Sequence, residues 1–401
     1  MTLDKKALET RLMHTGLAEF DPVTGQAPVA LPAVRTSTVR FQNLDAHDRA
    51  QVRKGQGERV VTYGRMGMDT NAALENVFNQ LENGTHTYLA PSGLSAVTLS
   101  LLTFLSAGDH ALVSDNVYGP VRVLDNEVLK RLNIELTYFS SADNLDSLIR
   151  ANTRAIYVEA PGSLLFEMLD LPAIAQAARA RDIPLICDNT WGSGYIYRPL
   201  DLGAQVSVIA GTKYVGGHSD LLLGAVVTND AAIARRINAT QYALGYAVSA
   251  DDAWLALRGV RTMPLRMAQH AQNALKVCEF LDSRPEVLKV FHPAWHKDPC
   301  HALWQRDCTG SNGMLSMHLD LSVPAGRAFV DALELFGIGY SWGGFESLVQ
   351  FVDVKTLGAH GYWKTVGKQT GVVVRLHIGL EDVNDVIADL QQALESARAA
   401  G

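Results

Sequence analysis

The sequence predicts an α/β fold in which a mostly parallel sheet is followed by a smaller α+β domain. Between residues 111 and 227, short apolar runs alternate with helix-length segments, which is the pattern of βαβ units. Beyond Asp252 the pattern changes to longer helices and alternating strands. The chain has 401 residues, and single hydrophobic cores rarely grow beyond about 250 residues, so at least two domains are expected.

The composition excludes several classes of protein. The chain has 35 basic and 42 acidic residues and no basic block that could bind nucleic acid. No apolar run approaches the ~18 residues of a membrane span, and no apolar signal core follows Met1. Four cysteines without scaffold spacing are typical of a reducing compartment. We therefore expect a cytoplasmic protein with neither a nucleic-acid nor a membrane partner.

The N-terminal part of the chain is expected to begin as an arm. Prolines and glycines interrupt residues 1–62 and leave little sustained periodicity, so this segment is predicted to be extended. From Asn71 the apolar residues follow a helical spacing until Gly84: Leu74, Val77, Phe78 and Leu81. A second helix is predicted directly after Ser92-Gly93.

The remaining elements follow from runs of apolar residues. Strands are predicted at 111–113, 134–139, 155–158, 185–187, 206–210 and 222–227, with a helix at 171–180. The C-terminal part is predicted to contain a helix at 271–281, strands at 313–320 and 372–378, and a closing helix at 383–394. The predicted division is an arm at 1–62, a main domain at 63–255 and a C-terminal domain at 256–401.

Two charged residues stand at predicted strand exits. Asp188 ends one apolar run, and Lys213 follows another. Ligands of open α/β sheets bind at the carboxyl ends of strands, and a carboxylate with an amine suits a charged heterocyclic aldehyde cofactor. Further features suit a phosphate: a helix start at Ser92-Gly93, the Thr212 hydroxyl, and the phenol and guanidinium of Tyr63-Gly64-Arg65. Each feature alone is ordinary, but together they fit pyridoxal phosphate.

Five motifs resemble the Cys/Met-metabolism family of pyridoxal-phosphate enzymes: Tyr63-Gly-Arg65, Ser92-Gly93, Asp188-Asn-Thr, Thr212-Lys213-Tyr214 and Arg375-Leu-His-Ile-Gly379. The resemblance covers nearly the whole chain. It implies the aminotransferase-like fold of type I, with a cofactor-binding main domain and a C-terminal substrate domain. It also implies a homo-oligomer, namely a tetramer built from dimers that share active sites.

The resemblance implies a role for each candidate residue. Lys213 is the covalent attachment point of the cofactor and the base at the substrate Cα, and Tyr118 stacks on the ring and assists proton transfer. Asp188 pairs with the ring nitrogen. The implied phosphate contacts are Gly93, Leu94 and Thr212, joined by Tyr63 and Arg65 from a neighbouring subunit. The implied substrate contacts are Ser341, Trp342, Arg375 and Tyr63.

The substrate side has features of its own. Alternation along 372–378 predicts that Arg375 and His377 lie on the strand face opposite the core. Trp191 and Trp342 are expected to be apolar walls for a long substrate. Three positions depart from many relatives or vary among them: Ala210 stands where many have serine, Ser163 where γ-specific members have asparagine, and Thr62 is at a variable substrate-side position.

The implied activity is carbon–sulfur β-elimination. Asp188-Asn-Thr-Trp191 and the segment 340–348 resemble the bacterial members that cleave L-cystathionine to homocysteine, pyruvate and ammonia in methionine biosynthesis. Two alternatives stay open: a γ-specific relative, and a pyridoxal-binding regulatory protein. A group of histidines and cysteines could be drawn as metal ligands, but the spacing disfavours a metal site, and none is expected: His292, His296, Cys300, His301 and Cys308.

Overall fold

The computed structural model describes residues 5–366 and 370–400. The strands are β1 (His86–Ala90), β2 (His110–Ser114), β3 (Glu135–Phe139), β4 (Thr153–Glu159), β5 (Leu185–Asp188), β6 (Val206–Ile209), β7 (Gly224–Thr228), β8 (Val287–Phe291), β9 (Met314–Leu319), β10 (Gly337–Ile338), β11 (Leu348–Val352) and β12 (Val372–His377). The α-helices are α1 (Leu8–His14), α2 (Leu44–Gly55), α3 (Asp69–Glu82), α4 (Gly93–Phe104), α5 (Gly119–Leu124), α6 (Leu145–Leu148), α7 (Leu171–Arg179), α8 (Ala231–Leu244), α9 (Ala250–Val260), α10 (Met263–Asp282), α11 (His301–Asp307), α12 (Val323–Asp331), α13 (Gly361–Val366) and α14 (Val383–Ala400).

A seven-stranded sheet forms the centre of the fold. Its order is β1-β7-β6-β5-β4-β2-β3. The pairs from β3 through β2, β4 and β5 to β6 are parallel, whereas β7 runs antiparallel to both β6 and β1. The predicted class, an α/β fold with a mostly parallel sheet and a smaller second sheet, is therefore confirmed.

Both faces of this sheet are covered by apolar side chains. Along β4, Ile156 and Val158 join one core cluster, whereas Ala155 and Tyr157 join another on the opposite face. Successive side chains of a strand point to opposite faces, so burial on both sides explains the continuous apolar runs of the sequence. The carboxyl ends of the parallel strands consequently meet at one edge of the sheet.

A five-stranded, mainly antiparallel sheet follows in the C-terminal part. Its order is β10-β11-β12-β9-β8, and only β10 and β11 pair in parallel among its described strands. Apolar residues of this sheet share one core cluster with helices α10, α12 and α14. Helix α10 begins at Met263, close to the predicted boundary at 255/256, and that boundary stays a prediction.

The arm differs from the prediction. The described part of this segment, residues 5–62, is not extended throughout, since it includes α1 and α2. Asn43 caps α2 through its side chain, which accepts the N–H of Ala46 at 2.9 Å. Only Ala50 of this helix is buried, so it lacks the apolar stripe that would have revealed it.

Four strands were missed: β1, β8, β10 and β11. Strand β1 has the sequence His-Thr-Tyr-Leu-Ala and lies at the edge of its sheet, where polar side chains are tolerated. None of the helices in the described ranges is long and apolar enough to cross a membrane.

Candidate active site

The predicted site lies at the carboxyl edge of the large sheet. Asp188 is the last residue of β5, and Lys213 follows the end of the neighbouring parallel strand β6. The two residues are close enough to interact, and the positive charge of Lys213 acts to lower the pKa of the Asp188 carboxyl. The structure thus brings together the two residues that first suggested a cofactor site.

Lys213 is held by a loop of the C-terminal domain. Its Nζ donates a hydrogen bond to Oγ of Ser341 at 2.6 Å and lies 5.3 Å from the ring centroid of Trp342. Burial and, to a smaller extent, the neighbouring charge of Arg375 lower the pKa of Lys213 to about 8, against the opposing effect of Asp188. The lysine can therefore lose its proton near neutral pH, as predicted for an amine that acts as base and nucleophile.

Asp188 is buried and accepts hydrogen bonds on both oxygens. Oδ1 accepts the N–H of Thr190 at 3.0 Å and its hydroxyl at 2.6 Å, and Oδ2 accepts the Tyr157 hydroxyl at 3.1 Å. Burial raises the pKa of Asp188, while these hydrogen bonds from Thr190 and Tyr157 oppose the rise. A cation bound beside Asp188 would favour the ionised form further.

Glu159, the last residue of β4, was missed by sequence reasoning. It is the register partner of Asp188 in the sheet. Its carboxyl accepts the Ser163 hydroxyl at 2.7 Å and the backbone N–H of Tyr118. Burial and then the Asp188 charge hold the pKa of Glu159 well above its usual value. The rule that selected Asp188, an acidic residue at the end of an apolar run, also selects Glu159.

Tyr118 presents its ring beside these carboxyl groups. It precedes α5 and remains 47% exposed. Burial raises the pKa of the Tyr118 phenol, and the charges of Glu159 and Asp188 raise it further, whereas Arg375 lowers it. The phenol therefore keeps its proton at neutral pH and can donate it.

The start of α4 forms the predicted phosphate region. Ser92 caps the helix by accepting the N–H of Ser95 at 3.1 Å. In the described part of the chain, the N–H groups of Gly93 and Leu94 have no hydrogen-bond acceptor. A Cβ on Gly93 would lie 2.6 Å from Cβ of Ala210, so only glycine permits this approach of helix and strand end. Free N–H groups at a helix start favour an anion.

Two hydroxyl groups already have partners in the protein: that of Thr212, which is a predicted phosphate contact, and that of Ser163, which is one of the three departures. The Thr212 hydroxyl donates to the carbonyl of Leu223 at 3.2 Å and accepts its N–H at 2.9 Å. Ser163 donates to Glu159, as described above. At the third departure, Thr62 is partly buried beside exposed Tyr63.

Arg375 lies on β12 and reaches the same loop as Lys213. Its Nη2 donates to the Ser341 carbonyl at 3.1 Å, and burial lowers its pKa to about 10. Within the described ranges, neither Arg375 nor Lys213 forms an ion pair with a carboxylate of the protein. A partly buried guanidinium without an acidic partner suits a substrate carboxylate.

Arg375 and His377 lie on the predicted face of β12, opposite the core side that Val374 and Leu376 form, but this face is covered rather than open. His377 is buried: its Nε2 accepts the N–H of Gly343 at 3.1 Å, and its Nδ1 faces the Glu346 carbonyl at 2.9 Å. Burial holds the pKa of His377 well below its usual value, so the neutral ring donates from Nδ1. Val373, on the same face, belongs to a core cluster shared with the main domain, which explains why this face of β12 is covered. His377 therefore holds the loop that carries Ser341.

The two tryptophans have different surroundings. Trp191 is 3% exposed and belongs to the hydrophobic core, so it is not available as the predicted substrate wall. Trp342 is only partly buried and packs beside Lys213 and the ring of Tyr214, whose centroid is 5.5 Å away. Only Trp342 keeps the position expected of an apolar wall.

Tyr63 and Arg65 lie apart from Lys213 in this chain. Arg65 stacks on the Tyr242 ring, with 4.6 Å to its centroid, and both predicted residues line a separate cavity of about 450 Å³. Gly64 between them is required, since a Cβ there would overlap the Thr36 carbonyl. No contact of the described residues joins either side chain to Lys213 or Asp188.

The rival metal hypothesis gains no support from the geometry. Nδ1 of His292 faces the Met314 carbonyl at 2.7 Å, and Nδ1 of His301 faces the Pro293 carbonyl at 3.1 Å. In residues 5–366 and 370–400, no group of three or more His, Cys, Asp or Glu side chains is arranged to hold a metal ion.

These residues fit pyridoxal phosphate. The free N–H groups of α4 suit a phosphate, and the cations Lys213 and Arg375 suit a carboxylate. The buried Asp188 carboxyl, with the partly buried Glu159 beside it, suits a protonated ring nitrogen. The charge pattern therefore matches a cofactor with a cationic ring and an anionic substituent.

Comparisons with known proteins agree with this fit. A family model described as Cys/Met metabolism PLP-dependent enzyme matches residues 9–395. The chain is 66% identical over 392 residues to a cystathionine beta-lyase of Bordetella avium, with 98% of each chain covered. It is 36% identical to a cystathionine beta-lyase of Haemophilus influenzae, again with 98% of each covered. A crystal structure of cystathionine gamma-lyase from Lactobacillus plantarum with L-serine matches with a TM-score of 0.87 and 32% identity, covering 98% of this chain and 100% of that one.

Proposed function

The chain belongs to the Cys/Met-metabolism family of pyridoxal-phosphate-dependent enzymes, and from this we propose that it is a carbon–sulfur lyase that cleaves L-cystathionine at Cβ. The products are homocysteine, pyruvate and ammonia, and homocysteine is the precursor of methionine. The observation that carries the proposal is that Lys213 and Arg375 both contact Ser341. This places an amine that can lose its proton, Lys213, beside a guanidinium that can bind a carboxylate, Arg375.

The cofactor is held by groups at both ends of the site. The N–H groups of Gly93 and Leu94, with the hydroxyl of Thr212, bind the phosphate, and Tyr63 and Arg65 of a second copy complete this contact. Thr212 would exchange its bond to Leu223 for one to the phosphate. Asp188 pairs with the ring nitrogen, and Tyr118 covers the ring. When bound, pyridoxal phosphate supplies an electron-withdrawing ring that stabilises negative charge at the substrate Cα.

The substrate is positioned by the C-terminal domain. The Arg375 guanidinium binds the α-carboxylate, and Ser341 holds Lys213 at the same loop, so the amine faces the substrate Cα. With a pKa of about 8, Lys213 is partly neutral near physiological pH and accepts the Cα proton. The protonated Tyr118 phenol assists proton transfer at the substrate amine.

Trp342 supports β-elimination of a long thioether. Its ring lies against Lys213 and offers an apolar surface to the part of cystathionine beyond the sulfur. A γ-specific activity is the second candidate, favoured by the 0.87 TM-score to the cystathionine gamma-lyase. The β-assignment rests on the 66% identity to the Bordetella avium relative, which is twice the identity to the γ-lyase structure.

Assembly and location complete the proposal. The separation of Tyr63 and Arg65 from Lys213 in one chain supports a homo-oligomer whose copies share active sites, and a tetramer of such dimers is proposed. All four cysteines are unpaired, and this supports the reducing environment of the cytoplasm as its location.

The thiol product tests this function. L-Cystathionine is incubated with the purified holoenzyme, and the thiol released is identified by mass spectrometry after alkylation. Homocysteine is expected, and cysteine as the main thiol would assign the γ-specific alternative. Absence of any thiol, in a protein with the spectrum of bound cofactor, would exclude both lyase activities.

A further inference from the structure

Tyr157 contacts Asp188, the carboxylate proposed to pair with the ring nitrogen of the cofactor. This tyrosine of β4 is 0% exposed, and its hydroxyl donates to Oδ2 of Asp188 at 3.1 Å. Thr190 donates two hydrogen bonds to the other oxygen of Asp188, Oδ1. The two oxygens of Asp188 are thus held from two different strand ends.

The sheet register explains this contact. Glu159 pairs with Asp188 across β4 and β5, and Tyr157 precedes Glu159 by two residues. Residues two apart on a strand share a face, so the phenol and both carboxyl groups lie on one side of the sheet. Asp188 therefore has an acidic neighbour and a hydroxyl donor on the same strand.

Two opposing influences act on Asp188. Burial raises the pKa of its carboxyl, and because two neighbouring carboxylates disfavour double ionisation, burial and the Asp188 charge hold the pKa of Glu159 well above its usual value. The hydrogen bond from Tyr157 opposes the effect of burial on Asp188 by stabilising its charged form. Burial holds the pKa of Tyr157 well above its usual value, so its hydroxyl stays a donor.

We propose that Tyr157 is a positioning residue that keeps Asp188 ionised and thereby keeps the ring nitrogen of the bound cofactor protonated. The inference rests on the proposed contact between Asp188 and that nitrogen. Thr190 cannot replace Tyr157, because both of its hydrogen bonds go to Oδ1. Loss of the phenol would remove the hydrogen bond that Oδ2 of Asp188 accepts, which raises the proton affinity of this carboxyl, and the proton shared with the ring nitrogen would move towards Asp188.

The test uses Tyr157→Phe, which removes one oxygen and keeps the ring that fills the core. A matched control is Tyr138→Phe, since Tyr138 on β3 also donates to a buried carboxylate, Oδ2 of Asp125, at 3.1 Å. Wild type and both variants are loaded with pyridoxal phosphate labelled with ¹⁵N in the ring. The ¹⁵N chemical shift reports the protonation of the ring nitrogen, and melting temperature with circular dichroism reports folding.

The expected result is specific to Tyr157→Phe. Its ¹⁵N signal should move towards the unprotonated value, and kcat should fall about tenfold with little change in KM, since a hydrogen bond to a charged group is worth at least that factor. Tyr138→Phe should keep the wild-type signal and kcat despite a similar loss of thermal stability.

Two other outcomes overturn different claims. In the first outcome, the ring nitrogen is protonated in the wild type and equally protonated in folded Tyr157→Phe. This would show that Tyr157 has only a structural role, whether or not kcat changes. An unprotonated ring in the wild-type enzyme would instead remove the proposed role of Asp188, and the inference about Tyr157 with it. The product analysis of the lyase reaction is independent of both outcomes.

Discussion

At the scale of single residues, the two roles proposed for Lys213 can be separated by mutation. It is expected to bind the cofactor covalently and to move the proton at Cα, whereas Asp188, Tyr118 and the start of α4 hold the cofactor without a covalent bond. Lys213→Ala should therefore retain pyridoxal phosphate but lose turnover by about 10³-fold or more, because both general-base and nucleophilic catalysis are removed. Cofactor content by absorbance and pyruvate release provide the two measurements.

Lys276→Ala, at an exposed position of α10, is the control for loss of a lysine and should remain fully active. Turnover of Lys213→Ala at the wild-type rate would remove Lys213 from the mechanism.

Trp342 is expected to favour the longer substrate. Each methylene buried in a pocket contributes about 0.8 kcal/mol, so cystathionine should exceed cysteine in kcat/KM by tenfold or more through this contact. Trp342→Ala should narrow that ratio. Arg375→Ala should depress both substrates severely and leave the ratio nearly unchanged, because each carries the same α-carboxylate.

Trp304, which stacks on His301 with 5.2 Å between ring centroids, provides a matched tryptophan control. An unchanged substrate ratio in Trp342→Ala would show that the distal part of cystathionine is recognised elsewhere.

At the scale of elements, the turn after β5 is tied to α3 by a buried acid. Glu82, the last residue of α3, is 0% exposed and accepts the Asn189 side-chain amide at 2.6 Å. Burial raises the pKa of Glu82 from 4.5 to about 8. Asn189 directly follows Asp188, so this contact supports the strand end that carries the proposed partner of the ring nitrogen.

The raised pKa of Glu82 makes stability depend on pH. Below pH 4.5 the folded and unfolded states both hold the proton, and between pH 4.5 and about 8 only the unfolded state loses it. The stabilising contribution of Glu82 is therefore lost as pH rises through this range. Glu82→Gln cannot ionise, so its free energy of unfolding relative to wild type should improve by about 2–4 kcal/mol from pH 5 to pH 8.

Urea unfolding at both pH values measures this change. Glu127→Gln, at an exposed position, should show no such trend. A constant difference between Glu82→Gln and wild type would mean that Glu82 is already ionised in the folded protein.

The elements that the sequence predicted well are those with a strong local signal. The buried parallel strands, such as β4 and β5, are continuous apolar runs, and Asp188 and Lys213 stand at their ends or just beyond. Helix α2 and strand β1 carry little apolar periodicity, so local pattern could not find them. Burial of His377 and Trp191 was not predicted, because it arises from packing between segments far apart in the chain.

The same reason limited prediction of the site. Tyr157 becomes important only through the register of β4 with β5, which no local motif encodes, and the same register places Glu159 beside Asp188. The requirement for glycine at position 343 also could not be predicted from local sequence. Gly343 has a φ of 89°, and an added Cβ would lie only 2.9 Å from the backbone of Lys213, which is far away in the chain.

At the scale of the whole molecule, one chain does not gather all the expected contacts. Tyr63 and Arg65 line their own cavity, away from Lys213. If two copies share each active site, mixing inactive Lys213→Ala with inactive Arg65→Ala should create one intact site in every mixed dimer. Recovery of about a quarter of wild-type activity is expected for random dimers after subunit exchange.

Unmixed variants treated in the same way are the control for this complementation. If verified mixed dimers stay inactive, Arg65 acts within its own chain, and the shared-site assembly is excluded.

The central claim, β-elimination of cystathionine, is tested most directly by the fate of its carbon atoms. L-Cystathionine labelled with ¹³C in its three-carbon half is given to the holoenzyme, and the products are followed by NMR. Cleavage at Cβ predicts labelled pyruvate and an equal amount of unlabelled homocysteine. Labelled cysteine together with unlabelled 2-oxobutyrate would contradict the account.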